Sequence, residues 1–332
     1  MIISRAPFRI SFFGGGTDYP VWYNEHGGAV LATTIDKYCY ITVRYLPPFF
    51  KYNYRIRYTR REETQTISEI KHPSIRECLA FLNFDRGVEI VHNADLPARI
   101  GVGSSSTFTV CLLNALYALK GKMVTKRQLA LDAIHIEQDI IKENVGSQDQ
   151  TIAAFGGINR IEFGGPQQIQ VQPITVDAQK LQLLHDHLML FFTGFARTAS
   201  PIAGEQIKRT LGKKTELERM YEMVDEAIGI LNGSRSDLND FGKLLHESWM
   251  IKRSLTRKIT TPLIDEIYER GRRAGAVGGK LLGAGGGGCI LFFVEPECQD
   301  KVREELKNAL YIPFEFENLG AQIIYYAPRG DF

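Results

Sequence analysis

One stretch of the chain, Leu96-Pro97-Ala98-Arg99-Ile100-Gly101-Val102-Gly103-Ser104-Ser105-Ser106-Thr107, decides how the rest is interpreted. From about Thr107 the apolar residues recur with a helical period, so this segment directly precedes a helix that is predicted to be buried. Glycines let the main chain approach a ligand, and a helix N-terminus offers unpaired N–H groups and a positive dipole end to a phosphate. The alternative is a capped helix start, which needs only one serine. The segment therefore favours a phosphate-binding loop whose extra hydroxyls can also hold Mg²⁺.

Two further glycine-rich segments lie near the ends of the chain. Gly14-Gly15-Gly16-Thr17-Asp18-Tyr19-Pro20 follows a predicted strand that ends at Phe13. Lys280-Leu281-Leu282-Gly283-Ala284-Gly285-Gly286-Gly287-Gly288 contains a GxGxxG pattern, but it leads into a predicted strand instead of opening a helix. We interpret it as a glycine lid over a ligand and not as a dinucleotide fingerprint. No GxxxxGK[ST] pattern occurs, which excludes a Walker A loop.

The composition is that of an ordinary globular protein. The 332 residues suggest about two structural units, and 40 Lys and Arg against 38 Asp and Glu give a formal net charge of +2. This balance disfavours nucleic acid as a partner, since nucleic-acid binding normally requires a basic surplus. The five cysteines are odd in number and widely spaced, which disfavours a disulfide scaffold or a zinc site. The sequence contains no long apolar run and no recognisable signal peptide, so we expect a cytoplasmic protein without a membrane partner.

The hydrophobic pattern predicts a β-rich opening followed by mixed structure. Strands are predicted up to residue 13 and over 29–46, 54–58, 157–163, 187–192, 289–294 and 321–326. Helices are predicted from 107, from 126 to about 144, and over 215–231, 238–252 and 262–274. A glycine break at 164–165, followed by a Gln-rich stretch, predicts a boundary near residue 180. The chain is therefore predicted to be an α+β protein with domains at 1–180 and 181–332.

Two carboxylates are candidates for chemistry. Glu137 lies on the second predicted helix, and Asp149 lies twelve residues further on, in a predicted polar loop. Either group can bind a metal or accept a proton, although each taken singly is better explained as a surface residue or a helix cap. Their occurrence beside a phosphate loop favours the functional interpretation.

With these segments in place, the chain resembles the GHMP kinases, the family named after galactokinase, homoserine kinase, mevalonate kinase and phosphomevalonate kinase. The three family motifs are matched in order by residues 6–19, 97–106 and 280–288, and the resemblance covers essentially the whole chain. It implies an N-terminal half like domain 2 of ribosomal protein S5 and a ferredoxin-like C-terminal half. It also implies that ATP and the acceptor meet in the cleft between these halves.

The resemblance implies a role for each motif residue. Asp149 would be the catalytic base and Arg9 would support it and the transferred phosphoryl group, while Ser105 and Glu137 would hold Mg²⁺. The expected ATP contacts are Pro97, Gly101, Gly103, Ser104, Ser105, Ser106, Gly285 and Gly286, and the expected acceptor contacts are Gly15, Gly16, Thr17, Asp18, Arg197 and Lys280. For two of these the residues alone leave alternatives open: Arg197 can be a solvated arginine, and Lys280 can cover apolar surface.

One departure from the family pattern bears on the substrate. Galactokinases have Glu-His where this chain has Gly15-Gly16, and those side chains contact galactose there, so galactose is disfavoured. The glycine-rich version is similar to the branch that phosphorylates D-glycero-D-manno-heptose 7-phosphate, which implies an ATP- and Mg²⁺-dependent kinase acting on the anomeric hydroxyl of a sugar phosphate. A fucokinase-like enzyme acting on a neutral sugar and a non-catalytic sensor are the alternatives. Whether the protein is a monomer or a homodimer stays open.

Overall fold

The computed structural model of the protein describes residues 1–165, 168–195, 200–233 and 237–328. Its helices are α1 (Pro20–His26), α2 (Pro73–Phe81), α3 (Ser104–Leu119), α4 (Lys126–His135), α5 (Gln148–Phe155), α6 (Ala178–Asp186), α7 (Ser200–Arg209), α8 (Lys214–Asn232), α9 (Asn239–Leu255), α10 (Pro262–Ala274) and α11 (Gln299–Glu305). Its strands are β1 (Ile2–Phe13), β2 (Gly28–Tyr45), β3 (Tyr54–Arg57), β4 (Arg61–Thr64), β5 (Val88–Ala94), β6 (Ile158–Phe163), β7 (Ile169–Pro173), β8 (Leu188–Phe192), β9 (Ala276–Leu281), β10 (Cys289–Val294), β11 (Leu310–Ile312), β12 (Phe316–Glu317) and β13 (Gln322–Tyr326).

The larger sheet is organised around β2, whose 18 residues pair with β1 along one edge. Its other edge pairs in turn with β6, β12 and β5, so that nine strands join one sheet. The buried helix α3 packs on β1 and β2, as its nearly continuous apolar sequence predicts. The last two strands, β12 and β13, return from the end of the chain to this sheet, where β13 pairs with β1. The proposed division at residue 180 stays a prediction.

The smaller sheet has four strands in the order β11-β8-β10-β9. Helix α9 packs against β9, while α8 packs against β1 and β2, so these two helices lie between the sheets. Phe241 of α9 forms edge-on contacts with Phe12 and Phe13 at ring distances of 5.4 and 5.1 Å, and it also contacts Phe293 of β10. This aromatic cluster joins the two halves of the molecule at the end of β1, directly before the first glycine-rich segment.

The predicted α+β class is confirmed, and the strongly periodic elements lie where the sequence predicts them. The helix predicted over 262–274 is observed as α10, and the capping threonine Thr125 accepts a hydrogen bond from the N–H of Gln128 at the start of α4. Several elements were missed, among them α2, α5, α7, β5 and β9. Among the described residues, no helix combines the length and apolarity needed to cross a bilayer.

Candidate active site

The predicted phosphate loop runs into α3 through a left-handed turn. Gly103 is the N-cap residue with φ 79°, and Arg99 and Gly101 also have positive φ. Such a conformation favours glycine because a Cβ would be strained there. The first-turn N–H groups of a helix have no partner within the helix, so the turn presents them outward. The local structure is therefore suited to bind an anion.

The three consecutive serines point in different directions. Ser104 Oγ accepts a hydrogen bond from the N–H of Arg99 and closes the loop, Ser105 is exposed, and Ser106 Oγ donates to Glu137 Oε2 at 2.7 Å. Successive helical residues are turned by about 100°, so neighbouring serines cannot share one direction. One serine secures the loop, one is accessible to a ligand, and one reaches the buried carboxylate.

Arg9 and Asp149 form a nearly buried ion pair next to this turn, joined by two hydrogen bonds. Arg9 Nε and Nη2 donate to the two carboxylate oxygens of Asp149, each at 2.8 Å, and Nη1 donates to the carbonyl of Gly101. A register shift between Pro7 and Arg9 in the pairing of β1 with β2 marks an irregularity at this point of the strand. A Cβ added to Gly103 would lie 3.3 Å from Asp149 Oδ2. The structure thus brings the predicted base, its arginine and the phosphate loop into contact.

The sequence analysis placed Asp149 in a loop, and this prediction is wrong. It occupies the first turn of α5, one residue after the helix begins at Gln148. The segment was misjudged because its polar residues give no clear helical period over so short a length. The helix fixes the direction of the carboxylate, which a loop would leave freer.

Glu137 lies in a buried network of neutral donors. Its Oε2 accepts from Ser106 and from Gln150 Nε2, and its Oε1 accepts from Thr109 at 2.6 Å. The side chain is 1% exposed, and burial raises its pKa to about 7, against the smaller opposing effect of the three hydrogen bonds. Unlike Asp149, this carboxylate has no cation hydrogen-bonded to it among the described residues.

The donor set around Glu137 fits Mg²⁺, and the expected sharing of the metal with Ser105 stays a prediction. Mg²⁺ prefers oxygen ligands, and this group supplies a carboxylate, two hydroxyls and Gln150 Oε1, which is buried without a hydrogen-bond partner. Ser105, which was expected to share the metal, is exposed and makes no recorded contact with Glu137; Ser106 contacts it instead. In the described part of the chain, no cluster of three His, Cys, Asp or Glu side chains could hold an ion, so phosphate oxygens would complete such a site.

Two residues of the first motif, expected to contact the acceptor, are used within the protein. The hydroxyl of Thr17 donates to the carbonyls of Gly14 and Ala29, and the side chain is fully buried. Asp18 Oδ1 accepts from the N–H of Gly16, and its carbonyl accepts from the N–H of Ser147. Burial raises the pKa of the Asp18 carboxyl, with Asp149 adding to the effect. The expected acceptor contact of Thr17 is therefore corrected to a structural role, because the turn needs its hydroxyl.

Gly15 and Gly16 differ in the space around them. A Cβ on Gly15 would meet only Ser11 Oγ at 3.6 Å and Gln148 Nε2 at 3.8 Å, which is ordinary contact. A Cβ on Gly16 would lie 2.9 Å from Gln206 Nε2, and Gly16 has φ 113°. A Cβ would therefore fit at Gly15, whereas helix α7 leaves no space for one at Gly16. Gln148 and Gln206 bring amide groups to this turn and were not found from the sequence.

The third motif forms a tight connection between β9 and β10 that packs on main chain. Gly283 lies against Gly101, and the N–H of Cys289 donates to the carbonyl of Ile100 at 2.8 Å. Gly285 lies against the backbone of Ile259, and the N–H of Gly286 donates to the carbonyl of that residue. Both glycines are buried, and this hydrogen bond occupies the Gly286 N–H, while the expected ATP contacts of Gly285 and Gly286 stay predictions. The glycine lid is instead a wedge behind the phosphate loop.

Two lysines reach the site from within the C-terminal half. Lys280, expected to bind the acceptor, is 1% exposed and donates to the carbonyl of Phe12 at 2.6 Å, so it links the third motif to the first. Lys252 of α9, which the sequence analysis missed, donates to the carbonyls of Leu281 and Gly283. A signal existed, because Lys252 continues the apolar face of α9 that carries Phe241, Leu245 and Trp249. Arg197 lies outside the described residues.

A pocket of about 930 Å³ lies beside this centre and does not include it. Its lining includes Tyr19, which follows Asp18 in the chain, and Ser147, which is two residues before Asp149. Arg9 and Asp149 themselves do not line it. Two ionisable side chains that line it, Asp139 and Glu143, come from the segment after α4, which begins with a π-helical turn over Ile136–Ile140. An acidic wall of this kind does not suit a phosphate.

Two family models match the chain, and the first of them includes the phosphate loop, Glu137 and Asp149. One, for the GHMP kinase N-terminal domain, matches residues 71–157, and one, for the GHMP kinase C-terminal region, matches residues 227–312, together just over half of the chain. The chain therefore belongs to the GHMP kinase family and is an ATP-dependent kinase.

Among kinases of the family, the chain is similar to enzymes named for sugars. It is 27% identical to D-glycero-alpha-D-manno-heptose 7-phosphate kinase of Campylobacter jejuni over 320 residues, which is 89% of this chain and 90% of that protein. It is also 27% identical to the L-fucokinase/L-fucose-1-P guanylyltransferase of Bacteroides fragilis, over 71% of this chain and 25% of that protein. The crystal structure of a D-glycero-D-manno-heptose 1-phosphate kinase from Bacteroides thetaiotaomicron superposes with a TM-score of 0.79 at 24% identity, over 98% of this chain and 99% of that one. This likeness confirms the predicted GHMP kinase fold.

Proposed function

We propose that the protein transfers the γ-phosphoryl group of ATP to a hydroxyl of a sugar, with Asp149 as the base. The observation that carries this proposal is the placement of the Arg9–Asp149 pair against Gly103 at the start of α3. A helix N-terminus binds phosphates, and a carboxylate at contact distance from it lies where an acceptor hydroxyl would meet the terminal phosphate.

Each described side chain then has a defined task. The N–H groups of the first turn of α3 bind the phosphates, and Arg9 holds both oxygens of Asp149 so that their free lone pairs face the acceptor. The acceptor hydroxyl gives its proton to Asp149 as its oxygen bonds to phosphorus. The bond between that phosphorus and ADP breaks, and ADP leaves with the electron pair. The products are a sugar phosphate, ADP and one proton.

Mg²⁺, when bound, neutralises charge on the β- and γ-phosphate oxygens. Glu137, with the nearby hydroxyls, would hold it, and the exposed Ser105 hydroxyl is free to reach the same phosphates. Because the pKa of Glu137 is about 7, this carboxyl must lose a proton to act as a ligand near neutral pH.

For the acceptor we propose D-glycero-D-manno-heptose 7-phosphate, converted to the 1,7-bisphosphate. The similarity to the Campylobacter jejuni enzyme extends over nine-tenths of that protein, which supports this choice.

A neutral sugar such as fucose is the second candidate, and one observation favours it. The three buried cations of the site, Arg9, Lys252 and Lys280, are all hydrogen-bonded to main-chain carbonyls or to Asp149. Within the described residues, no further buried cation was identified next to Asp149 to bind a 7-phosphate. For the heptose phosphate, we propose Arg197, which lies outside the described residues, as the cation that binds the 7-phosphate.

The test is ATP-dependent release of ADP with D-glycero-D-manno-heptose 7-phosphate, mannose 6-phosphate, fucose and galactose. Preference for the heptose phosphate supports the proposal. Loss of that preference in Arg197→Gln, with fucose turnover unchanged, would assign the 7-phosphate to Arg197. Turnover of fucose alone supports the second candidate, and no turnover of any sugar contradicts both.

A further inference from the structure

The side chain of Lys252 holds the third motif from behind. Its Nζ donates to the carbonyl of Leu281 at 3.1 Å and to the carbonyl of Gly283, the first glycine of the wedge. Gly283 in turn packs on Gly101, where a Cβ would lie 2.7 Å from the Gly101 Cα. A shift of Gly283 therefore cannot occur without moving the phosphate loop, because no side chain lies between the two backbones.

Burying this lysine is costly, so its position calls for an explanation. Lys252 is 6% exposed, and burial lowers its pKa to about 8, with Arg9 adding to the effect and Asp18 and Asp149 opposing it. An apolar residue would suit the face formed by Leu245 and Trp249 at lower cost. The ammonium group, unlike an apolar side chain, donates hydrogen bonds to the carbonyls of Leu281 and Gly283. It also places a positive charge near the phosphates that would react.

The charges around Lys252 come from several elements. Arg9 lies on β1, Asp18 in the turn after it, Asp149 on α5 and Lys280 on β9, and each influences the ionisation of Lys252 or is influenced by it. Burial lowers the pKa of Lys280 well below its usual range, with Lys252 as the second cause. Arg9 and Lys252 both bring cationic side chains to this centre, where each donates to a main-chain carbonyl of a glycine-rich segment.

We propose that Lys252 is a positioning residue for the kinase reaction, which holds the third motif against the phosphate loop and so sets the ATP phosphates relative to Asp149. This inference deepens the proposed function and rests on it. It assigns to α9, outside the three motifs, a part in placing the nucleotide.

The test compares Lys252→Met, Lys252→Arg and the matched control Lys243→Met. Lys243 lies on the same helix but is exposed, and its recorded partner is Asp240. ADP affinity is measured by calorimetry without acceptor, and kcat and the KM for ATP are measured with the acceptor found for the wild type. Thermal unfolding shows which variants are folded.

We expect Lys252→Met to weaken ADP binding and raise the KM for ATP by about tenfold, as loss of a charged hydrogen-bonding group predicts. Lys252→Arg should recover most of this loss, and Lys243→Met should stay within about twofold of the wild type. The proposal is overturned if folded Lys252→Met binds ADP like the wild type, or if folded Lys252→Arg is as impaired as Lys252→Met.

A second readout decides the matter if the methionine variant does not fold. Since the pKa of Lys252 is about 8, the KM for ATP of the wild type should rise above that pH, while Lys252→Arg, which stays charged, should not show the rise. The same rise in both proteins contradicts the proposal. The calorimetric measurement of ADP affinity needs no acceptor. If no sugar in the panel is phosphorylated, the proposed function is refuted, but the ADP affinities of the Lys252 variants can still be compared.

Discussion

Two carboxylates of the site, twelve residues apart in the chain, lie in opposite electrostatic surroundings. Asp149 shares both of its oxygens with the guanidinium of Arg9, whereas Glu137 is surrounded by hydroxyl and amide donors that carry no charge. Without a cation, Glu137 has a pKa of about 7. Under the proposed function, this difference would separate two duties: Asp149, held by an arginine, would face the acceptor, and Glu137 would gain its charge when a metal binds.

The largest expected effect comes from Asp149→Asn. The amide keeps the shape of the side chain but cannot take a proton, so kcat should fall by about 10³-fold. ADP affinity, measured by calorimetry, should change by less than about threefold, because the phosphate loop is intact. Turnover at the wild-type rate would remove Asp149 from the mechanism.

Arg9→Lys sharpens the Asp149 side of the comparison. A lysine keeps the charge but cannot hold both carboxylate oxygens and the Gly101 carbonyl, so kcat should fall roughly 10- to 100-fold. Steady-state rates with saturating ATP measure it. Unchanged kcat would mean that charge alone, without the paired geometry, suffices at Asp149.

The metal dependence tests the Glu137 side. Below pH 7 protons compete with Mg²⁺ for Glu137, so the Mg²⁺ concentration for half-maximal rate should rise by about tenfold per pH unit. Glu137→Gln should need about tenfold more Mg²⁺ at pH 8 and should lose the pH dependence. If the wild type and the variant respond to pH alike, Glu137 is not the metal-linked group.

Adjacent serines provide a finer test. Ser106→Ala removes a donor to the charged form of Glu137, which should raise its pKa further and increase the Mg²⁺ requirement at pH 7 by a few-fold, about the worth of one hydrogen bond. Ser105→Ala leaves that network intact and should alter the Mg²⁺ requirement less. A larger effect of Ser105→Ala would restore the pairing that the sequence suggested.

The smallest effect concerns stability without metal. The folded pKa of Glu137, about 7, lies above its ordinary value of 4.5, so the folded state binds the proton more tightly than the unfolded state. The contribution of this group to the free energy of unfolding is therefore largest below pH 4.5, and it is lost as the pH rises to about 7. Between pH 5 and 7.5, the thermal midpoint of metal-free wild type should drop by a few degrees more than that of Glu137→Gln. Parallel curves would contradict the raised pKa.

The sequence predicts the parts of this site that depend on local pattern. Gly103 and α3 follow from glycines next to a helical period, and β1 follows from its alternation. The pairing of Asp149 with Arg9 came from the family resemblance, since no spacing brings residues 140 positions apart together.

What could not be predicted depends on direction and burial. That Ser106 and not Ser105 faces Glu137 depends on how α3 is rotated, and a helical wheel without a known neighbour leaves this open. Lys280 and Thr17 looked accessible because lysine and threonine usually are, whereas here each gives its donor to a main-chain carbonyl. Lys252 was overlooked because only the folded chain brings α9 behind the third motif.

The most direct measurement is ³¹P NMR of the products formed from ATP and D-glycero-D-manno-heptose 7-phosphate by the wild type and by Asp149→Asn. The proposed function predicts ADP and a second sugar phosphate signal, at the anomeric position, with the wild type and almost none with the variant. A phosphate added at another carbon, or an equal product signal from both proteins, would contradict it.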